Sequence, residues 1–436
     1  MKILLTLPKN VDQIKSGGIV RSKRKYPPIE FLYLGTILSE NHTVKVIDGN
    51  AENIKLDKIK KNIERYGPEW VVISSEAWDF WGCPFPYGGQ LSWEIGAFAK
   101  ENNAKTIFIG PYASLTPQDY LHKFDFIVQN DPEIAVQKII EGKTKERIVR
   151  FPVDLNMLPI PDFDLLPLKA YKQNEYPGLS LNNFFVLSGS RGCPFPCIFC
   201  LNPILQGKKY RLRDPSKVIE EIEILMEKGI RSFFFQDSIF TLNKKWAQTI
   251  CSEIINKGLE INWGIQTRTD FTRKDLIKSM AKAGCKFYSL GVEHIDPSIQ
   301  RVIKKIQPIG QVLKTIKMVL NEGIGCGVNL MMNFPGETLR TLMKNAKFRA
   351  WCDKFGIGGG IKPVIPFPGT ELHKMQKFPN SIDAVTIEAG RYNKRPFYLF
   401  YNMYKRYFDM MSALHLKDSY EIVFDHRSNL STPKSL

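Results

Sequence analysis

Three cysteines, Cys193, Cys197 and Cys200, stand close together in the segment RGCPFPCIFC, with the spacing C-x3-C-x2-C. Three thiolates on one loop can hold three irons of a four-iron cluster and leave the fourth iron open. The alternatives are a structural zinc site, which takes four ligands, and unliganded core cysteines. Because the next Cys or His along the chain is Cys251, the motif favours an iron–sulfur cluster.

The pentapeptide GCPFP occurs twice, at residues 82–86 and at residues 192–196. Only the second copy is followed by further cysteines, so the first copy cannot hold a cluster in the same way. The flanking sequences share nothing else, and we interpret the first copy as reuse of a rigid proline turn. Its cysteine, Cys83, is predicted to be a buried thiol.

Length and composition limit the class of protein. A chain of 436 residues exceeds one ordinary domain, and 43% hydrophobic with 24% charged residues is typical of a soluble globular protein. Eight cysteines, three of them within eight residues, favour reduced thiols over a disulfide framework. The short apolar N-terminal run does not resemble a signal peptide, and no stretch approaches the roughly 18 apolar residues of a membrane span. We therefore expect a cytoplasmic protein.

The formal net charge of +17 favours an acidic partner, a nucleic acid or an anionic ligand, and is equally compatible with a solvated basic surface. One segment, residues 15–25, is basic and contains no acidic residue. An RNA-binding or RNA-modifying protein is therefore an alternative class. It ranks last because the chain lacks an RNP-like aromatic motif.

Residues 1–150 alternate between short apolar runs and helical stretches. The predicted strands are residues 2–7, 43–48, 70–75, 105–110 and 124–129. Apolar strands separated by helices indicate a Rossmann-like parallel sheet, which binds ligands beyond the carboxyl ends of its strands. The proline-rich residues 151–182 are predicted to be a linker.

A second alternating pattern covers residues 183–375. Its predicted strands are residues 183–190, 232–237, 261–268, 287–293, 327–334 and 359–367. Six strand–helix units predict a partial (β/α)6 TIM-type barrel, whose reactive groups belong at the carboxyl ends of the strands. The cysteine motif follows the first of these strands. Residues 376–436, aromatic and basic, are predicted to form a helical C-terminal cap.

Together these motifs resemble the radical S-adenosylmethionine (SAM) superfamily, in particular its branch with an N-terminal cobalamin-binding domain. The resemblance extends from Lys2 to about Leu372. It is carried by the cysteine motif and, in order behind it, by FFFQDSIFTLN, QTRTD, SLGVEHID, VNLMMNFPGET and IPFPGTEL. One departure is Ser238, which stands where the family usually has a second aspartate.

The resemblance implies that the three cysteines ligate a [4Fe-4S] cluster whose open iron binds SAM. An electron, supplied by an external donor such as flavodoxin or ferredoxin, then cleaves SAM to a 5'-deoxyadenosyl radical. It also implies contacts from Asp237 to the SAM amine, from Arg268 to its carboxylate and from Glu293 to its ribose. The full set of implied SAM-binding residues is Phe199, Asp237, Arg268, Glu293, Met331 and Val364.

The N-terminal segments VIDG, IGPYASLTP and VQNDPEIAV resemble loops of the cobalamin branch, although Tyr112 stands where His is common. The implied cobalamin-binding residues are Ser74, Ser75, Trp78, Gly110, Pro111, Asn130 and Glu133. Trp78 and Trp81 would wall the corrin. None of the six histidines lies in a D-x-H-x-x-G motif, so cobalt would have no strong lower ligand. A ligand-free flavodoxin-like scaffold remains the alternative.

The function implied by the resemblance is a cobalamin-dependent radical SAM methyltransferase. The radical removes hydrogen from an unactivated carbon, preferably sp3, and methylcobalamin delivers the methyl group. The rival interpretation uses the same cofactors for cyclisation, rearrangement or carbon–carbon coupling without methyl transfer. The substrate stays open between a peptide or protein, a lipid and a natural-product intermediate, and the basic charge favours an anionic or macromolecular one. No catalytic acid, base or radical-quenching residue is assigned.

Overall fold

The computed structural model describes residues 1–9, 26–77, 84, 87–171, 184–376, 380–382 and 395–413. These residues form two parallel six-stranded sheets and one two-stranded ribbon. The predicted α/β class, a Rossmann-like sheet followed by a partial barrel, is confirmed. Within the described ranges, no helix is both long enough and apolar enough to cross a membrane.

The N-terminal sheet has the strand order β2-β1-β3-β4-β5-β6. Its strands are β1 Lys2–Leu7, β2 Thr43–Asp48, β3 Trp70–Ser74, β4 Lys105–Ile109, β5 Phe126–Gln129 and β6 Ile148–Arg150. Its helices are α1 Ile29–Ser39, α2 Leu56–Tyr66, α3 Gly88–Glu101, α4 Pro111–Leu115 and α5 Glu133–Ile140. The strand order reverses between β1 and β3, which is where open α/β sheets bind ligands. Edge strand β6 was not predicted, because its three residues form no apolar run.

The second sheet runs in sequential order from edge to edge, and every neighbouring pair is parallel. Its strands are β7 Phe184–Leu187, β10 Ser232–Phe235, β11 Asn262–Thr267, β12 Cys285–Glu293, β13 Gly325–Met332 and β14 Gly358–Pro363. The helices that follow them are α7 Pro215–Glu227, α8 Lys244–Asn256, α9 Lys274–Lys282, α10 Pro297–Val302, α11 Ile309–Asn321, α12 Leu339–Lys354 and α13 Glu371–Met375. Sequential parallel strands with helices between them form an open part of a barrel.

A short antiparallel ribbon closes the segment that carries the three cysteines. Strand β8, Ser190–Arg191, pairs with β9, Arg211–Leu212, in the register Ser190↔Leu212 and Arg191↔Arg211. Residues 192–210, which include helix α6 (Asn202–Leu205), therefore leave and re-enter the barrel at one point. We call residues 192–210 the cysteine loop.

Of the predicted proline-rich linker, residues 151–182, the described residues 151–171 pack against both sheets, and the rest lies outside the described residues. Residues 151–171 contain short 3-10 turns at Leu155–Met157, Phe163–Leu165 and Leu168–Ala170. The ring of Phe163 lies 5.7 Å from the ring of Phe185 in β7, centroid to centroid. On the other side, the Tyr171 hydroxyl donates to Asp48 Oδ2 at the end of β2, at 2.7 Å. The segment thus joins the domains by buried contacts.

The described part of the predicted cap includes one long helix, α14 (Arg395–Ala413), which packs against α12. Phe397 is buried at this contact, and the Tyr401 hydroxyl donates to Asp353 Oδ2 at 2.8 Å. The remainder of the predicted cap lies largely outside the described residues.

Candidate active site

The cysteine loop is held at its start by backbone geometry that only glycine tolerates well. Gly192 has φ +91°, and a Cβ at this position would lie 2.1 Å from the Lys209 carbonyl oxygen. Its N–H donates to Gln206 Oε1, and the next N–H, of Cys193, donates to the Gly207 carbonyl, both at 3.1 Å. The two arms of the loop are therefore held in close contact immediately beside the first cysteine.

The central part of the loop is fixed to elements beyond the ends of later strands. The Ile198 N–H donates to the Ile303 carbonyl at 3.3 Å, and the Ile198 carbonyl accepts from the Leu372 N–H at 2.9 Å. The Cys200 N–H donates to the Cys197 carbonyl at 3.2 Å, which closes a turn between the last two cysteines. The structure thus holds the loop in place over the carboxyl-end face of the barrel.

The three thiols are close enough to influence one another electrostatically. Burial raises the pKa of Cys200 above its usual range, and the neighbouring Cys197 and Cys193 raise it further. Burial also raises the pKa of Cys193. Three thiolates in such proximity repel one another, so a cationic metal centre would stabilise them.

Two cations face this group of thiols. Arg268, at the end of β11, lies 4.2 Å above the Phe195 ring and places Nη1 3.9 Å from Cys197 Sγ. Its Nε and Nη2 donate to Asp270 at 2.9 and 2.7 Å. The second cation, Lys305, interacts electrostatically with Cys193 and Cys200 and offsets part of the rise in pKa that burial causes in both thiols. Two cations, each also paired with a carboxylate, therefore lie beside the site where an anionic cluster would sit.

Lys305 forms a buried ion pair with Glu293, with Nζ 2.8 Å from Oε1 and both side chains about nine-tenths buried. Glu293 ends β12 with φ +65°, a conformation that non-glycine residues rarely adopt, beside a register shift against β13. The Gln307 amide donates to the Gly291 carbonyl at 2.7 Å and so supports this turn. Such strain at a strand end is characteristic of functional sites.

Asp237, at the end of β10, is fully buried, and burial raises the pKa of its carboxyl to about 7. Oδ2 accepts from the Gly189 N–H at 3.0 Å, and Oδ1 accepts from the Ser190 hydroxyl at 2.5 Å. Its carboxylate therefore holds the turn between β7 and the ribbon. Ser238, at the position of the second family aspartate, donates to Gln206 Oε1 at 3.3 Å.

The three apolar residues of the predicted SAM set belong to one cluster, as Val364 is buried with Phe199 and Met331 packed at its edge. The Phe199 and Phe334 rings lie 5.5 Å apart, centroid to centroid, and the Val364 N–H donates to the Met332 carbonyl at 2.8 Å. The structure therefore brings Phe199, Met331 and Val364 together in one apolar cluster, and their contact with SAM stays a prediction.

Residues 187–349 match the Radical SAM superfamily. This segment is a radical SAM domain. The chain is 29% identical over 402 residues to an uncharacterized methyltransferase of Pyrococcus horikoshii, covering 85% of this chain and 82% of that protein. It is 34% identical to the anaerobic magnesium-protoporphyrin IX monomethyl ester cyclase of Rubrivivax gelatinosus over 369 residues, 77% of this chain and 64% of that protein.

The fold is similar to that of the radical SAM methyltransferase TsrM from Kitasatospora setae, whose structure contains cobalamin and a [4Fe-4S] cluster. The TM-score is 0.66 at 17% identity, with 85% of this chain and 73% of that chain covered. The family resemblance stated from the sequence, to cobalamin-dependent radical SAM enzymes, is confirmed. Its members include enzymes named as methyltransferases.

As a radical SAM protein, the chain uses a [4Fe-4S] cluster and SAM, and the donor set fits that cluster. Among the described residues, no group of three or more His, Cys, Asp or Glu side chains converges closely enough to hold one metal ion. The motif offers three thiols, whereas a structural zinc site takes four ligands, so the donor set suits a cluster better than zinc. The assignment of Cys193, Cys197 and Cys200 as cluster ligands stays a prediction.

The rim of the N-terminal sheet is built from the loops after β3, β4 and β5. Gly110, with φ +93°, lies against Ser74 and Ser75: a Cβ here would come within 2.7 Å of Ser74 Oγ and 3.0 Å of Ser75 Oγ. The Ser74 hydroxyl donates to the Glu76 carbonyl at 2.7 Å. Pro111 begins α4 and is buried. These four predicted cobalamin residues are adjacent, and their contact with a corrinoid stays a prediction.

The remaining predicted cobalamin residues divide into two groups. Trp78, together with Trp81 and Cys83, lies outside the described residues. Asn130 and Glu133 face the barrel: the Asn130 amide donates to the Ile204 carbonyl at 2.5 Å, and Glu133 pairs with Arg191 at 2.7 Å. For these two, the structure shows an interdomain contact.

Two functional features escaped prediction. Lys305 follows the fourth-strand motif SLGVEHID, but a lysine in KKIQP has no signal that separates it from a surface residue. The pairing of Arg191 with Glu133 joins residues 58 positions apart. The contact between Arg191 and Glu133 depends on the tertiary fold and has no signal in the sequence.

Proposed function

We propose that the protein is a cobalamin-dependent radical SAM methyltransferase that methylates an unactivated, preferably sp3, carbon. One observation supports this most strongly: the cysteine loop at the carboxyl-end face of the barrel directly contacts the rim loop of the N-terminal sheet, through Asn130 and Ile204. A radical source and a methyl carrier in one chain serve a common purpose when the target carbon is neither nucleophilic nor acidic. A simple SAM methyltransferase would otherwise suffice.

The proposed residue roles follow from the site. Cys193, Cys197 and Cys200 hold the cluster, and the cations Arg268 and Lys305 balance negative charge beside it. When bound, the cluster, SAM and cobalamin supply respectively the electron, the hydrogen-abstracting fragment and the methyl carrier. Glu293, held by Lys305, orients the ribose, and Phe199, Met331 and Val364 pack against the adenine. Asp237 fixes the β7 turn and reaches the SAM amine only if its bond to Ser190 is exchanged.

The test is a count of products from SAM. Anaerobically reconstituted protein with cobalamin, reductant and a lipophilic cell extract should form one S-adenosylhomocysteine and one 5'-deoxyadenosine for each methylated product. Methyl-deuterated SAM should pass all three deuterium atoms to that product. Deoxyadenosine with substrate consumption but without matching S-adenosylhomocysteine would exclude methylation.

A second candidate, cyclisation without methyl transfer, is favoured by the relative from Rubrivivax gelatinosus that is named a cyclase. This reaction would use the same cysteine loop and the same SAM-binding residues. Only the S-adenosylhomocysteine count separates it from methylation.

For the substrate, we favour a large apolar ring system, such as the protoporphyrin ester in the name of that relative. Three apolar side chains in the segments after β12, β13 and β14 are exposed: Ile306 at 61%, Leu339 at 64% and Met375 at 53%. Segments at the carboxyl ends of barrel strands surround the active site. Replacing all three with Ser should raise KM for an apolar substrate while leaving substrate-independent SAM cleavage unchanged.

A further inference from the structure

The contact between the two domains contains a buried cluster of four charged side chains. Arg191 and Arg211 come from the ribbon, Asp131 comes from the loop that follows β5, and Glu133 is the first residue of α5. Arg191 Nη2 lies 2.7 Å from Glu133 Oε1, and Nη1 lies 3.0 Å from Asp131 Oδ1. The side chains of Arg191, Asp131 and Glu133 are only 9%, 3% and 0% exposed. One guanidinium thus binds two carboxylates of the other domain.

Arg211 completes the cluster from the opposite strand of the ribbon. Its Nη1 pairs with Asp131 and also donates to the Val153 carbonyl at 2.7 Å. Its Nη2 donates to the Gln206 carbonyl inside the cysteine loop, also at 2.7 Å. Two positive and two negative charges are therefore balanced, and Arg211 contacts three parts of the chain.

The four charged side chains lie next to the cysteines that are predicted to bind the iron–sulfur cluster. Only Gly192 separates Arg191 from Cys193, and the φ of Gly192, +91°, is set by the close approach of Lys209. On the other side of Arg191, the Ser190 hydroxyl is held by Asp237. A shift of the Arg191 backbone would therefore move the first thiol.

On the N-terminal side, the same carboxylates belong to the rim. Asp131 and Glu133 follow Asn130, which has φ +65° and donates to Ile204 in the cysteine loop. The predicted corrinoid rim and the cysteine loop are thus joined through buried ion pairs and a hydrogen bond.

Ion pairs are a poor choice for adhesion alone, because desolvation offsets much of their attraction and apolar residues would hold the domains as well. An arginine fork that binds two carboxylates, however, is satisfied in only one orientation. The four charged side chains therefore fix the relative orientation of the two domains more than they strengthen the contact between them.

We propose that Arg191 is a positioning residue, which fixes the cysteine loop relative to the N-terminal rim and thereby couples hydrogen abstraction to methyl transfer. The coupling to methyl transfer rests on the proposed function. The fixation of the loop does not rest on it, and the two are tested separately.

The first test uses hydrogen exchange on the protein without added cofactors. In Arg191→Lys, the charge remains but one ammonium cannot satisfy both carboxylates in the same way. We expect exchange in residues 192–206 to rise by about tenfold, since local opening follows the loss of local contacts. Glu133→Gln, an isosteric substitution, should raise hydrogen exchange in the same residues. It provides an independent test if Arg191→Lys folds poorly.

The matched control is Arg349→Lys. Arg349 is also buried and ion-paired, with Asp353 at 2.6 Å, but it bonds to carbonyls of Val328, Ile357 and Gly358 away from the domain contact. Arg349→Lys should destabilise the protein without a selective rise in the hydrogen-exchange rate of residues 192–206. If Arg191→Lys and Glu133→Gln behave like this control, the positioning role is wrong.

The second test measures the magnetic coupling between the reduced cluster and cob(II)alamin by electron paramagnetic resonance, in the fully loaded protein. Arg191→Lys should broaden or weaken this coupling and raise deoxyadenosine formed per methylated product by at least about threefold, with the rate of SAM cleavage kept. Unchanged coupling and ratio would overturn the proposal. Failure of the wild type to bind cobalamin would instead overturn the proposed function and leave the hydrogen-exchange result to stand.

Discussion

The cysteine loop and the N-terminal rim differ in the contacts that their predicted site residues make. In the loop, the three thiols lie on one short segment with two cations beside them. In the rim, the predicted polar side chains form bonds within the protein, as with Ser74 to Glu76 and Glu133 to Arg191. A metal cluster needs ligand atoms from specific residue types, whereas a ligand at the rim of an α/β sheet is bound mainly by the shape of the loops. Residue types therefore predict the first kind of site better than the second.

The largest expected effect comes from the loop. Replacing Cys193, Cys197 and Cys200 together with Ala should abolish bound iron and sulfide, the brown absorbance and all reductive cleavage of SAM. The control is Cys251→Ala, since Cys251 is a buried core thiol in α8. Reductive SAM cleavage by the triple variant would show that the cluster lies elsewhere.

A second prediction compares two glycines of the loop with similar left-handed backbones, Gly192 at φ +91° and Gly207 at φ +86°. A Cβ on Gly192 would strike the Lys209 carbonyl, whereas nothing lies within 4 Å of a Cβ on Gly207. Gly207→Ala should cost about 1–2 kcal/mol of unfolding free energy and retain iron. Gly192→Ala should cost more and lose most of the iron, measured by metal analysis after reconstitution. Equal iron contents would contradict the proposed requirement for a close contact at Gly192.

A third prediction tests the rim by its backbone shape. Gly110→Ala places a methyl against Ser74 and Ser75, whereas Gly142, at φ +70°, has nothing within 4 Å of a Cβ. Gly110→Ala should reduce cobalamin retention by about tenfold, which corresponds to about 1.4 kcal/mol, while iron content is kept. Gly142→Ala should leave both cofactors unchanged. Loss of iron in Gly110→Ala would show that the two regions are not separable in this way.

The smallest effect concerns Asp237, whose buried carboxyl has its pKa raised to about 7. The folded state therefore keeps a proton that the unfolded chain, with an Asp pKa of about 3.9, releases earlier. This group makes unfolding free energy fall as pH rises from about 4 to about 7, with no further fall above that. Asp237→Asn should remove about 1–2 kcal/mol of this fall in urea titrations.

Asp275 provides a control of opposite sign. It is an exposed carboxylate whose pKa is lowered by its bond to Lys244. Its contribution is present at neutral pH and is lost as the pH falls, so Asp275→Asn should not flatten the same slope. If the two substitutions change the slope alike, burial of Asp237 is not its cause.

Much of the fold was predictable from the sequence because strands such as residues 2–7 and 43–48 have clear apolar patterns, and their predicted bounds match β1 and β2. Strand β6 was not predictable, because three residues at a sheet edge are too few to show an apolar pattern. Lys305 was missed because its burial depends on Glu293 at the end of another element. The pairing of Glu133 with Arg191 was missed because the two residues lie in different domains, 58 positions apart in the sequence.

The two-residue pairing of β8 with β9 has a consequence for evolution and design. Because both ends of the cysteine loop meet at one base, the ribbon already brings its ends together, and each doubling of loop length adds only about 0.6 kcal/mol of closure entropy. Insertions within the loop would therefore be tolerated by the barrel without a change in its strand register. A homologous loop of different length could be grafted onto the same base, provided that it keeps the contacts of Ile198 with Ile303 and Leu372.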